Sequence, residues 1–219
     1  MAPSKETYLI DLHLHTDFSP CGGQSLKECV LRAREVGLSL IVITDHFSTE
    51  AASELPLPGL EGPPVVLVGQ EYSTRDGDFL LLVPGGALTL PRGLPTEEVL
   101  TEVHAAGGLT IWAHPFRWRR EVREELLEAG LVDAIEILNG RTPPPENEKA
   151  KLLAEAYGLP GTAGSDAHFP EEIGSVANVC PEKIEHEKDL IEAVKAGLLT
   201  PKIISPTLKG TYSFLKGYR

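Results

Sequence analysis

Short apolar runs alternate with amphipathic segments along most of the chain. Six of those runs terminate, at their C-terminal ends, in His13 and His15, His46, Glu71, His114, Asn139, or Asp166 with His168. Alternating strands and helices predict a largely parallel sheet with right-handed crossovers. When such a sheet closes into an α/β barrel, the C-terminal ends of its strands meet on one face, where active sites are built. Chance placement would scatter these side chains. The pattern therefore predicts a metal-binding α/β barrel.

The first of these runs ends in Asp11-Leu12-His13-Leu14-His15. Residues two apart in an extended strand project to the same side, so His13 and His15 present two imidazoles together, with Asp11 below them. Strands are expected over Tyr8–Leu12, Leu38–Thr44, Pro64–Val68, Phe79–Val83, Leu109–Ala113, Val132–Leu138, Leu159–Ala163 and Thr200–Ser205. Between them, Ser25 and Glu28 form a capping-box pair for a helix that runs to Val36 and stops at Gly37. Thr96 is expected to cap a helix ending at Ala106, and further helices are expected over Arg117–Ala129, Pro145–Tyr157 and Lys188–Ala196.

A length of 219 residues favours one domain spanning 1–219. The net charge of −12 argues against a surface built for long nucleic acid or anionic membrane. No run approaches the roughly 18 apolar residues of a membrane span, and residues 1–7 do not read as a leader, so a cytoplasmic location is expected. Three cysteines, Cys21, Cys29 and Cys180, fit a reducing compartment better than a disulfide framework. Neither a Gly-x-Ser-x-Gly elbow nor a Walker-type loop is present to suggest a protein nucleophile or a P-loop.

Four ordered motifs carry a resemblance to the PHP superfamily, named from polymerase and histidinol phosphatase. They are Asp11-Leu12-His13-Leu14-His15-Thr16, Ile43-Thr44-Asp45-His46, His114-Pro115 and Gly164-Ser165-Asp166-Ala167-His168, and the resemblance covers roughly Leu9 to Ala177. It implies a distorted (β/α)7 barrel, mostly parallel, with the site at the C-terminal strand ends. It also implies two or three divalent metals, zinc, manganese or iron. By the same resemblance, His13, His15, Glu71 and Asp166 surround the first metal, and Glu71 bridges to a second held by His114. His46 and His168 would hold a third, together with a ligand from the loop after the first motif.

Two positions depart from that pattern. Cys21 stands where relatives commonly carry Asp or His; it is either the third-metal ligand, favouring zinc or iron, or an ordinary small loop residue. Asp78 stands where relatives often carry a His as a further ligand of the second metal, but it begins its run, so it reaches the face only if that strand is antiparallel or bent. Asp11 is a candidate to orient an imidazole from behind. Asp45 either supports the ligands or caps its loop. Asn139 is read as closing a turn, and His104 and His186 as surface histidines.

The expected activity is hydrolysis of a phosphate ester, either a small phosphomonoester or a nucleotide or oligonucleotide end. A metal-bridging hydroxide would be the nucleophile, with Glu71, Asp166 and His168 as catalytic residues. Arg117, Arg119 and Arg141 are candidate phosphate contacts; for the cluster containing Arg117 and Arg119, the alternative is a solvated helix start. Two other readings stay open: an amidohydrolase-like hydrolase of a non-phosphate substrate, and a non-catalytic regulatory module. Oligomeric state is not legible.

Overall fold

The structure is a computed structural model that describes residues 6–86, 88–117 and 121–204. Its elements in chain order are β1 (Tyr8–Leu14), α1 (Leu26–Glu35), β2 (Leu40–Ile43), β3 (Val65–Val68), β4 (Gln70–Ser73), β5 (Asp78–Leu82), α2 (Thr96–Ala105), β6 (Leu109–Ala113), α3 (Glu125–Glu128), β7 (Ala134–Asn139), α4 (Pro144–Tyr157), β8 (Gly161–Gly164), β9 (Val176–Cys180), α5 (Glu187–Lys195) and β10 (Thr200–Ile203). The α1 capping box forms as the sequence predicts: Ser25 N–H donates to Glu28 Oε2 at 2.7 Å, and Gly37 takes the left-handed stop at φ 79°. In α2, Thr96 is the first helical residue instead of the cap, because its hydroxyl donates to Asp76 Oδ2 at 2.5 Å.

The strands form a mixed α/β fold with two five-stranded sheets, ordered β10-β9-β1-β2-β3 and β4-β5-β6-β7-β8. The expected closed (β/α)7 barrel is not found among the described residues. Nor is the sheet mostly parallel: β1–β2, β2–β3, β6–β7 and β7–β8 pair parallel, while β1–β9, β9–β10, β4–β5 and β5–β6 pair antiparallel. One physical reason is the Thr74–Gly77 turn, where Thr74 N–H donates to Gly77 O at 2.8 Å and folds β4 back on β5. A connection this short can join only antiparallel neighbours.

At the other seam, β9, which the sequence reading did not anticipate, takes the edge of β1 that a closed barrel would give to β8. The buried Asn178 then stitches three strands. Its Oδ1 accepts from Ala163 N at 2.8 Å, and its Nδ2 donates to Ala163 O at 2.8 Å and Ile10 O at 3.1 Å. Side-chain bonds thus satisfy backbone groups that ladder bonds would otherwise pair. The two sheets also meet at isolated parallel bridges, Leu14 with Ala167 and His46 with Glu71. Both bridges lie beside the ligand candidates.

Aliphatic side chains from β1, β2, β5 and β6 pack with α5 in one cluster. A second cluster, around Trp112, Phe79 and Leu100, seats α2 and α4. Trp112 is 1% exposed and lies against Phe79, with ring centroids 5.2 Å apart. Trp112→Ala is expected to cost about 3–5 kcal/mol, read as a drop in denaturant midpoint at constant slope. A change under about 1 kcal/mol would mean that this cluster is not a tightly packed core.

Among the described residues of the expected helix Arg117–Ala129, only α3 is α-helical; Arg117 turns inward, and residues 118–120, with candidate Arg119, lie outside the described residues. Ser205, the expected end of the last strand, lies outside them too. Among the described residues, no helix is long and apolar enough to cross a membrane. All three thiols are free.

Candidate metal centre

The C-terminal ends of β1 and β8, the loops after β2 and β6, and the start of β4 converge on one buried cluster. His13, His15, Glu71 and Asp166 are each no more than 2% exposed. Four of their atoms face a common point. His13 Nε2 lies 3.2 Å from His15 Nε2, 3.4 Å from Glu71 Oε2 and 3.6 Å from Asp166 Oδ1. His15 Nε2 lies 3.2 Å from Glu71 Oε2 and 3.3 Å from Asp166 Oδ1. Ligands about 2.0–2.1 Å from a tetrahedral ion stand roughly 3.3 Å apart, so the donor set fits a divalent cation.

Glu71 divides its oxygens. Oε2 faces His13, His15 and, at 3.3 Å, His46 Nδ1, while Oε1 lies 3.1 Å from His114 Nε2. Asp78 joins Glu71 and His114 in a group whose ligand atoms lie within 4.8 Å of one another. It reaches the face because β5 runs antiparallel to both neighbours, which places the start of that strand beside Ser73 and Ala113. Cys21 and His46 form a further group with His15, and His168 groups with His15 and Asp166. The His168 Nδ1–H donates to Asp166 O at 2.8 Å, which leaves Nε2 as the lone-pair nitrogen.

Three non-glycine residues in the described chain have positive φ: Phe47 at 54°, His114 at 29° and Asp166 at 55°. Two belong to the cluster and the third follows His46. Such conformations cost free energy and persist only where surrounding bonds hold them. Here Phe47 N–H donates to Glu71 O at 3.0 Å, and Asp166 N–H donates to His13 O at 2.8 Å.

The electrostatics follow from burial and crowding. Burial pushes the His13 imidazole down, but the carboxylates of Asp166, Glu136 and Glu71 outweigh it and hold its pKa well above the ordinary histidine value. Burial likewise opposes ionisation of Asp166, yet Arg117 and His13 bring its carboxyl well below the usual range. His168 is pushed down to about 3, first by burial and then by His15.

Several side chains take places other than those expected. A register shift between Asp11 and Leu14 interrupts the alternation of β1, so Asp11 does not sit behind an imidazole. Its carboxylate instead accepts from the backbone N–H groups of Ser165 at 2.8 Å and Gly174 at 3.4 Å. Asp45 does not cap its own loop: it accepts from Thr16 N and Ser19 Oγ of the loop after β1, both at 2.7 Å, and so pins the segment leading to Cys21. His104 is partly buried, with Nε2 3.0 Å from Asp133 Oδ2, and is not a free surface histidine. His186 is exposed and caps α5.

Arg117 does not point outward. Its Nη2 donates to Asp166 Oδ2 and Asn139 Oδ1, both at 2.5 Å, and its Nε donates to Thr142 Oγ1 at 3.0 Å. Arg141 Nη1 lies 3.9 Å from Glu172 Oε2. Asn139 does more than close a turn, since its Nδ2 donates to Glu136 Oε2 at 2.9 Å while its Oδ1 receives Arg117. The sequence reading missed Glu136. Its signal was a lone carboxylate inside the apolar run Ala134-Ile135-Glu136-Ile137-Leu138.

Two family models match the chain, one described as PHP domain over residues 11–77 and one as PHP-associated over residues 144–198. The uncharacterized protein MJ0417 of Methanocaldococcus jannaschii is 30% identical over 181 residues, covering 76% of this chain and 68% of the relative. PsfC from Pseudomonas syringae PB-5123 matches with a TM-score of 0.75 at 19% identity, over 97% of this chain and 98% of that one. The lesion-specific endonuclease PfuEndoQ from Pyrococcus furiosus matches with a TM-score of 0.69 at 20% identity, over 90% and 58%. An amidohydrolase from Chromobacterium violaceum matches with a TM-score of 0.64 at 18% identity, over 91% and 99%. At these identities the three structural likenesses show the fold.

Proposed function

Because the chain belongs to the PHP family, whose members are metal-dependent hydrolases, we propose that it hydrolyses a phosphate ester, either a small phosphomonoester or a nucleotide or oligonucleotide end. The observation that carries the reading is the buried set of His13, His15, Glu71 and Asp166 atoms at the mutual spacing a divalent cation needs. Glu71 extends it to a second position with His114 and Asp78. Cys21 and His46 on one side of His15, and His168 with Asp166 on the other, are the residues that would supply a third. When bound, such cations supply Lewis acidity and an activated water.

The chain's own residues then have distinct roles. Glu71, Asp166 and His168 hold and orient the reacting groups. Arg117, already inside the site, offers a guanidinium that can pass from Asp166 to a substrate oxygen, and Arg141 stands beside His168 through Glu172. The acidic overall charge favours a small or terminal phosphate over long nucleic acid.

Phosphate release tests the proposal, assayed with manganese or zinc and with chelator across phosphomonoesters, a nucleoside bisphosphate and a 5′-phosphorylated oligonucleotide. Chelator-sensitive turnover supports it; no release from metal-loaded protein overturns it. The fold shared with an amidohydrolase makes an amide or lactone the second class to assay. Turnover of that class alone would give the site the other chemistry.

Cys21→Ser is expected to lower bound metal by one ion per chain and to shift preference from zinc toward manganese, because the soft thiolate next to His15 and His46 is lost. Unchanged metal content by elemental analysis would return Cys21 to the role of a small loop residue.

A further inference from the structure

Glu136 sits at the third position of β7, only 1% exposed, and every bond it makes leads to the candidate centre. Its Oε1 lies 3.0 Å from His13 Nδ1. Its Oε2 accepts the backbone N–H of His114 at 3.0 Å and the Asn139 amide at 2.9 Å. A carboxylate only accepts, so His13 Nδ1 bears a proton and Nε2 turns toward His15, Glu71 and Asp166. The bond to His114 N–H falls on a residue held at φ 29°. One side chain thus braces two ligand candidates from behind.

The surrounding backbone is shaped to admit this contact. β7 gains a residue against β8 between Glu136 and Leu138, which sets the strand's aim just past Glu136. Across from it, Gly164 leaves the space the pair occupies: a Cβ there would stand 2.3 Å from His13 Cβ and 2.5 Å from Glu136 Oε1. Glu136, His13 and His114 also fall within metal-ligand range of one another. Yet with Nε2 facing the centre, a cation between Glu136 and His13 Nδ1 would need a bridging imidazolate, whereas 3.0 Å is the length of an ordinary hydrogen bond.

We propose that Glu136 is a positioning residue, which fixes the Nδ1–H form and ring orientation of His13 and anchors the strained backbone of His114, so that both imidazoles face the metals together. The inference rests on the metal-centre reading of His13 and His114. It predicts that a bond remote from the reacting groups controls metal affinity, as carboxylates behind ligating histidines do by about 10- to 100-fold.

The test uses histidine-15N-labelled full-length protein and zinc as the probe. In metal-free wild type, the His13 Nδ1–H proton is expected downfield and protected from exchange; its absence there overturns the proposal. Glu136→Gln has one acceptor for three donors, so it should weaken both that signal and zinc affinity, the latter by about 10- to 100-fold in chelator competition. Gly164→Ala, which drives the pair apart while keeping both residues, should do the same. Wild-type zinc affinity and an unaltered His13 signal in both folded variants would overturn the proposal. Should wild type itself bind no zinc, the metal-centre reading fails, while the Nδ1–H signal still reports whether Glu136 holds the imidazole.

Discussion

Asp166→Asn is expected to lower turnover by roughly a thousandfold or more, the scale on which single charge-stabilising groups act in buried sites, while the melting temperature stays close to wild type. The two carboxylate oxygens do different work. Oδ1 faces the His13 and His15 nitrogens, and Oδ2 receives Arg117. Asparagine keeps one acceptor for Arg117, and it tolerates the left-handed φ of 55° better than any other non-glycine residue. The backbone therefore survives and the charge does not. Phosphate release and a thermal melt, run together, measure this. Activity within a few-fold of wild type would remove Asp166 from the proposed centre. Loss of both activity and folding would instead mean that the ion pair with Arg117 holds the loop.

Glu71→Gln is expected to cost at least one bound ion per chain, together with a loss of activity on the same roughly thousandfold scale. Glu71 is 2% exposed, and its Oε2 lies 3.2–3.4 Å from nitrogens of His13, His15 and His46, while Oε1 lies 3.1 Å from His114. An amide has one acceptor oxygen, so it can serve either side but not both. Elemental analysis after dialysis reads the stoichiometry directly. Wild-type metal content in this variant would mean that Glu71 does not bridge.

How much was legible beforehand varies by residue. His13, His15, His46, Glu71, His114, Asp166 and His168 were all visible at or just beyond the ends of apolar runs, and the structure brings them into one cluster. Asp78 was ambiguous for a definite reason: its reach depends on strand direction, which a local pattern of apolar residues does not encode. Strict alternation puts Asp11 beneath the imidazoles, but β1 carries a register shift just past it. Of the helix expected over Arg117–Ala129, the described residues hold only α3, and Arg117 is bonded to Asp166, 49 positions away.

The sequence by itself determined which polar side chains close the apolar runs, where α1 and α4 start and stop, and the family to which the chain belongs. Those features depend on short-range periodicity and caps, and on motifs a few residues long. The tertiary structure alone decided the two-sheet arrangement in place of a closed barrel, the inward turn of Arg117, and the partner behind each imidazole. His13 meets Glu136 across 123 positions, and Asn178 closes the seam to Ile10 across 168. A buried polar group that finds no partner costs the full free energy of its lost hydration. Which partner it finds is set by where the folded strands place the nearest donor or acceptor, and that placement is not a property of any local stretch.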